Sequence, residues 1–422
     1  MSLRKLGPSY KTYKVYHTIL DYNSNIVYIG YNINMPKYIK RDLELLLKKA
    51  FKQFPAVIIT GARQSGKSTL VKHVFPEAKY ISLENLNIRN FAKKDPEGFL
   101  SEYKPPIIID EIQEVPELLS YIKTLIDQNR KSGMFIITGS QQFSLMQGVQ
   151  ESLAGRAGIL DLSAFSFNEI RNMVRTKKWY ECAYEGFYPE IKVKKTIDID
   201  FWYSSYIRTV IDRDISIHLK EKNLFNYSRF VELLAARCSQ ELNFVTISNE
   251  LGVDIKTIQT WTSLLLRSQI IFFLPPYFKN LGKRITKRSK LYFFDTGLVA
   301  HLTKHKTPEL IKNGPMSGSI FENMVISDIM KQNFSYGSRQ SLYYFKENNG
   351  LEIDLLIDHP IKSTLIEIKS TETPDTAHII NLGRFQKLIN GKAESYLISA
   401  KKEGFTVKGI KFLYFMDFKL KS

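Results

Sequence analysis

Nine residues, Gly61-Ala62-Arg63-Gln64-Ser65-Gly66-Lys67-Ser68-Thr69, constrain the fold of this chain more than any other stretch. Gly61 to Ser68 fit the spacing G-x-x-x-x-G-K-[S/T], and the flanks supply the context that gives the spacing meaning. Residues 55–60 ahead of it form a short β-branched apolar run, predicted as a buried parallel strand. Residues 70–75 behind it continue as a helix. A strand, loop and helix in this order aim successive backbone N–H groups and a positive helix end at one spot, which makes a phosphate site. Lys67 is expected to reach the β- and γ-phosphates of ATP, and the Ser68 hydroxyl to complete a Mg²⁺ shell. The bland alternative is a chance glycine-rich turn.

A second element points the same way. Residues 105–111 read Pro-Pro-Ile-Ile-Ile-Asp-Glu, an apolar strand with carboxylates at its C-terminal end. Ligands of open α/β sheets lie beyond the carboxyl ends of the strands, so Asp110 and the phosphate loop can converge. Asp110 suits a Mg²⁺ ligand, and Glu111 suits the base that orients an attacking water, which favours hydrolysis over nucleotide storage. The alternative is an acidic pair capping the next helix. Residues 134–138 form a third strand ending in Thr138 and Ser140 at the same rim. Either hydroxyl can sense a γ-phosphate, or both belong to a plain turn.

Composition sets the outer bounds. A chain of 422 residues, 44% hydrophobic, can bury several cores, roughly two to four domains. No apolar run reaches the roughly 18 residues of a membrane helix, and the N-terminus lacks the apolar region of a signal peptide. Cys182 and Cys238 make neither a disulfide framework nor a metal cluster; as buried thiols they suit a reducing cytoplasm. The net charge of +18 suggests a polyanionic partner.

That charge is concentrated. Residues 251–290 hold eight Lys or Arg against one Asp. Residues 246–252 read as a short helix stopped by Gly252, and Asp254 caps a second helix over 255–267 with Ile255, Ile258 and Leu265 on its apolar face. Strands follow at 269–274 and 290–294, joined by a basic loop. Two helices, a strand, a basic loop and a strand predict a winged helix. On DNA, Lys256, Thr257 and Gln259 would face a groove while Lys283, Arg284, Lys287 and Arg288 contact phosphates. The competing reading is a rigid spacer.

The C-terminal quarter carries a different constellation. A helix at 318–330, strands at 341–346, 351–357 and 364–368, a helix near 377–389 and a strand at 396–398 give the order αβββαβ. Glu367 and Lys369 stand two apart on one strand and so share a face. Asp354 on the neighbouring strand can join them, and Glu322 can approach from the helix. Converging carboxylates bind Mg²⁺ or Mn²⁺, here a second metal site, and Lys369 can orient or activate a water against a phosphodiester. Alternating charges on an exposed strand face would look similar.

The αβββαβ order with Asp354 and Glu367-Ile-Lys369 resembles the restriction-endonuclease-like, PD-(D/E)xK, fold. From about Met35 onward the chain resembles a family of prokaryotic AAA-superfamily ATPases. In that family the ATPase core joins a winged helix and a C-terminal nuclease-like domain. The landmarks are residues 38–43, the two Walker motifs, Thr138-Gly-Ser140, Ser152-Leu-Ala-Gly-Arg156, Gly186-Phe-Tyr-Pro-Glu190, residues 206–214 and Phe294-Asp-Thr-Gly-Leu298. The resemblance implies that Arg156 serves as an arginine finger or γ-phosphate sensor, and that Arg208 or Arg213 lies on a lid. Taken without the family, Arg156 is a helix-end cation.

The resulting expectation is an α/β multidomain protein with a P-loop parallel-sheet ATPase core, a winged helix and a restriction-endonuclease-like domain. The expected boundaries are 1–34 as an extension, 35–178 core, 179–225 helical lid, 226–300 winged helix and 315–422 nuclease-like domain. Residues 28–34 hint at a strand, and Met35 is a second candidate start. Two functional classes stand: an ATP-driven enzyme acting on DNA, self-associating or not, or a nucleotide switch whose C-terminal units scaffold partners.

Overall fold

The computed structural model describes residues 10–20, 26–36, 38–139, 152–194, 196–212, 224–277, 288–337, 339–347, 350–359, 361–388 and 393–420. Strands β1 (Tyr10–Leu20) and β2 (Ile26–Pro36) pair antiparallel as a hairpin, so the strand expected at 28–34 has a partner that the sequence pattern does not reveal.

Five apolar segments then build one parallel sheet: β3 (Ala56–Thr60), β4 (Lys79–Ser82), β5 (Ile107–Asp110), β6 (Phe135–Thr138) and β7 (Ala157–Asp161), in the order β4-β5-β6-β3-β7. The Ile-rich runs do not alternate with polar residues because both faces of the sheet are covered. Val57, Ile59, Ile108 and Ile136 face helices Glu44–Gln53 and Lys67–Val74. Ile58, Ile107, Ile109 and Ile137 face the side carrying helix Leu118–Gln128. These eight side chains are fully buried, each worth about 1.5–3 kcal/mol relative to exposure. This order sets β3, which feeds the phosphate loop, between β6 and β7, with β5 one strand away.

Short helices over 167–206 follow, and then helices Leu224–Ala236, Phe244–Leu251 and Ile255–Arg267. Gly252 (φ 64) closes the second of these, and Asp254 caps the third by accepting the Thr257 N–H at 2.9 Å. Ile258, Trp261 and Leu265 are buried on its inner face. Ile255 is not: it is 41% exposed, because the first turn projects beyond the packed face and Trp261 fills the core. Strands β8 (Ile271–Leu274) and β9 (Lys290–Phe293) pair antiparallel.

The last unit begins with helix Ser317–Phe334, buried around most of its circumference. Its six-stranded mixed sheet is β10 (Ser341–Lys346), β11 (Glu352–Asp358), β12 (Ser363–Lys369), β13 (Ala393–Ser399), β14 (Phe405–Val407) and β15 (Ile410–Tyr414), in the order β10-β11-β12-β13-β15-β14. The helix expected near 377–389 starts with a 3-10 turn, Thr376–Ile379, and continues as Ile380–Leu388. Strands β14 and β15 extend the expected order; at three and five residues they are too short to give a firm pattern in the sequence.

This unit is bolted to the first sheet. The Phe167 N–H donates to Asp328 at 2.6 Å, Lys331 Nζ donates to the Phe165 carbonyl at 3.3 Å, and Arg171 donates to the Met416 carbonyl at 2.8 Å. Arg171 also pairs with Asp417, and Arg339 with Asp161. Both cysteines are buried, and burial pushes their thiols above the usual range, Cys182 to about 12. Among the described residues no helix is long and apolar enough to cross a membrane.

Candidate functional site

Between β3 and helix Lys67–Val74 the loop passes through the left-handed region at Gln64 (φ 60) and Gly66 (φ 92). Gly61 (φ 148) admits no side chain, since a Cβ there would stand 2.0 Å from the Leu162 carbonyl oxygen. Lys67 is buried and arches back over the loop, donating to the carbonyls of Gly61 at 3.1 Å and Ala62 at 3.0 Å. Burial pulls its ammonium below the usual range, and the charges of Glu111 and Asp110 oppose that pull. Ser65 is fully buried and its hydroxyl has no protein partner. An orphaned hydroxyl in the loop that opens a helix fits a phosphate oxygen. Arg63 is half-buried, and Thr69 is exposed at the helix start.

The two elements expected to share Mg²⁺ stand side by side. Ser68 donates its hydroxyl to Asp110 Oδ2 at 2.8 Å. Asp110 is buried and also accepts the hydroxyls of Thr138, from the end of β6, and Tyr80, from β4. Their convergence follows from strand order, since β5 lies between β4 and β6. A hydroxyl beside a carboxylate is an oxygen donor set that suits a hard divalent cation. Glu111 takes a left-handed backbone (φ 59) and accepts from the Gln113 side chain. Ser140 lies outside the described residues.

Beside the loop is an apolar-lined cavity of about 240 Å³, bounded by Tyr38, Ile39, Gly66, Thr69, Pro189 and Val193. Its size and lining suit a planar heterocycle, and Tyr38 stacks on His73 with centroids 3.6 Å apart. Arg41 holds the loop from behind, donating to the carbonyls of Ser65 at 2.8 Å and Ser163 at 2.7 Å while paired with Glu169 at 2.9 Å. A third contact comes from the middle unit. Gln269, buried and left-handed (φ 52), accepts the Ala62 N–H at 3.3 Å and donates to Asp161 at 3.0 Å. Asp161 also accepts the Thr60 hydroxyl at 2.7 Å. Sequence alone does not single out Tyr80, Arg41 or Gln269; Arg41 lies within a family landmark, and the other two carry no motif.

Arg156 does not reach the loop of its own chain. It forms a two-point pair with Asp127, at 2.6 and 2.8 Å, on the last turn of helix Leu118–Gln128. Arg208 lies on the one-turn segment Ile207–Asp212, and Arg213 lies outside the described residues. Lys283, Arg284 and Lys287 also lie outside them. Lys256, Gln259 and Arg288 are exposed. The Thr257 hydroxyl donates to the capping carboxylate of Asp254 at 2.6 Å, so its proton is already engaged.

In the C-terminal unit the register Leu355↔Ile366 brings Asp354 beside Glu367. Asp354 Oδ2 accepts the Ile368 N–H at 2.8 Å, with Lys369 Nζ 3.7 Å away. Lys369 Nζ lies 2.6 Å from Glu367 Oε1. Glu367 Oε2 is buried without a partner. Glu322 does not join them as a ligand: its Oε1 accepts from Tyr292 at 2.6 Å and from Lys290 at 3.3 Å. Burial and the Asp354 charge push the carboxyls of Glu322 and Glu367 upward. Among the described residues no three His, Cys, Asp or Glu side chains are arranged to hold a metal ion, so the expected convergence of Glu322, Asp354 and Glu367 is not what the structure contains. Glu322 stays within electrostatic reach of Asp354 and Glu367, but its Oε1 is engaged by Lys290 and Tyr292.

Residues 53–171 match the AAA domain family, over the span that contains the parallel sheet, the phosphate loop and Asp110. Over this span the chain is similar to an AAA domain. Residues 176–309 and 317–418 match two domain families of unknown function. The chain is 27% identical over 338 residues to uncharacterized proteins of Mycobacterium tuberculosis and Mycobacterium bovis, covering 79% of this chain and 75% of each relative. Among solved structures it is similar to a Walker-type ATPase of Pyrococcus abyssi (13% identity, TM-score 0.42, 63% of this chain and 96% of that one). It is also similar to a signal transduction ATPase with a tetratricopeptide repeat sensor from Pyrococcus horikoshii (12% identity, TM-score 0.26, 71% of this chain and 48% of that one).

Proposed function

We propose that the chain binds ATP with Mg²⁺, hydrolyses it, and uses the turnover to act on nucleic acid. The observation that carries the reading is the Ser68–Asp110 contact beside a Lys67 folded over its own loop. Ser65, Gly66 and Lys67 would hold the phosphates, the cavity at Tyr38 and Pro189 the base, and Ser68 and Asp110 the metal. A bound Mg²⁺ supplies charge neutralisation at the transferring phosphate. Glu111, one residue past Asp110, accepts the proton of the attacking water. Thr138 holds Asp110 in place.

The divisions 35–178, 179–225, 226–300 and 315–422 serve as working units. The capped helix pair followed by β8 and β9 supports a winged helix at 226–300. The helix over a mixed sheet with Asp354, Glu367 and Lys369 on one face supports a nuclease-like unit at 315–422. The test is direct. Lys67→Ala should abolish nucleotide binding in a calorimetric titration. Glu111→Gln should keep binding and lower turnover by about 10²-fold, the scale of a lost general base. Tight ATP binding by Lys67→Ala overturns the assignment.

One observation favours a second reading, a nucleotide switch that scaffolds partners: Glu322 is committed to Lys290 and Tyr292. Cleavage of plasmid DNA that requires Mg²⁺ or Mn²⁺ and is lost in Asp354→Ala selects the first reading. No cleavage of linear, branched or single-stranded substrates selects the second.

A further inference from the structure

The acidic face of the C-terminal unit is completed by a residue from outside that unit. Lys290 opens β9, where it pairs with Leu274 of β8 and bridges to Glu241. It is only 4% exposed, although its charge must be satisfied. Its Nζ lies 2.8 Å from Glu352 Oε1 and 3.3 Å from Glu322 Oε1. Glu352 and Asp354 are two apart on β11 and share a face, so the ammonium sits on the face that carries Asp354. Glu352 is a fourth carboxylate of the cluster, alongside Glu322, Asp354 and Glu367. Three ammonium groups serve these four: Lys369 holds Glu367 and stands 3.7 Å from Asp354, buried Lys290 bridges Glu322 and Glu352, and the more exposed Lys346 lies 3.8 Å from the other oxygen of Glu352. What is left unpartnered is Glu367 Oε2, on a residue only 6% exposed.

We propose that Lys290 is a resident cation of the C-terminal acidic site, standing between Glu322 and Glu352 where a second divalent metal would otherwise be held. The inference rests on reading this unit as a nuclease-like site. A compact ammonium and a divalent cation compete for the same carboxylate oxygens, and a buried lysine that is covalently part of the chain is already in place, so a metal ion must displace it to bind there. The site therefore has one open face, at Asp354 and Glu367 Oε2, and Glu322 is a positioning partner of Lys290 rather than a ligand. Because Lys290 belongs to β9 of the preceding unit, the metal content of the C-terminal site depends on how that unit is seated.

The test counts Mn²⁺ bound to the nucleotide-free full-length chain by the decrease of free-ion paramagnetic resonance signal. Lys290→Met keeps the stem and removes the charge; it should bind one more equivalent than wild type, and Lys290→Arg should not. An unchanged count in a folded Lys290→Met overturns the proposal. Should Lys290→Met fail to fold, Glu322→Gln decides: it should leave the wild-type count unchanged, and a count lower by one equivalent overturns the proposal. Failure of the nuclease-like reading itself looks different. Wild type would then bind no Mn²⁺ that Asp354→Ala removes, while the gain in Lys290→Met would still support the role of Lys290.

Discussion

Asp110 is where several strands and loops report to one carboxylate, which receives hydroxyls from Ser68, Tyr80 and Thr138. Tyr80→Phe keeps the ring and removes one donor that competes with a cation for the same oxygen. A net hydrogen bond of about 0.5–1.5 kcal/mol then becomes a two- to tenfold fall in the Mg²⁺ needed for half-maximal turnover. A Mg²⁺ titration of ATP hydrolysis reads it directly, and no change would mean that Tyr80 only packs. The residues of the phosphate loop are legible in the sequence because backbone geometry there admits few side chains: a Cβ at Gly61 would stand 2.0 Å from the Leu162 oxygen. Tyr80, Arg41 and Gln269 are not, since each meets the site only through strand order or a contact between units. In the sequence Lys290 is one of the eight cations of residues 251–290, at the start of an expected strand; in the fold it is a buried ion-pair partner.

At the scale of elements, helix Ser317–Phe334 shows why burial pattern and sequence pattern part company. It has no clear polar face because it packs against β12 on one side and helix Trp179–Glu185 on another. Asp328 and Lys331 are consequently buried, the carboxyl pushed up to about 6 and the ammonium held down to about 8, in both cases chiefly by burial. A carboxyl whose folded pKa is raised contributes stability fully below its unfolded value and loses it as pH climbs through the folded value. The stability of wild type relative to Asp328→Asn should therefore fall as pH rises from about 4 to about 6 and level off above. The variant keeps an acceptor for the Phe167 N–H and does not ionise. Thermal midpoints of both proteins across that range check the sign; a flat difference would place Asp328 in water. Strands β10 to β13 are legible from alternation and β-branched runs, whereas β14 and β15 are short, and β14 packs at the sheet edge.

For the whole molecule, the expected division of labour is phosphate chemistry in the parallel sheet and polyanion binding along residues 251–290. Replacing Lys256, Lys283, Arg284, Lys287 and Arg288 by Ala should weaken duplex binding to a similar extent for every sequence. It should flatten the slope of log K against log salt by up to about 0.9 for each phosphate no longer neutralised. An unchanged slope assigns the net charge of +18 to some other surface. Composition points to a polyanion partner but says nothing of how the units are joined. The joints are single side chains: Gln269 on Ala62 and Asp161, Arg339 on Asp161, Asp328 on the Phe167 N–H. None of these has a sequence pattern, because each is a meeting of residues far apart along the chain.

The two cysteines give this chain a practical property. Thiolate is the reactive species, and both thiols are buried with their acidity suppressed, so neither reacts quickly with maleimides at neutral pH. The native chain is thus already a silent background for site-directed labelling. A cysteine placed at exposed Leu45 on helix Glu44–Gln53 and another at exposed Ile361 in the C-terminal unit would take up a dye pair without prior removal of Cys182 or Cys238. The distance between those dyes, followed on addition of ATP and Mg²⁺, would report whether the two ends of the molecule move against each other.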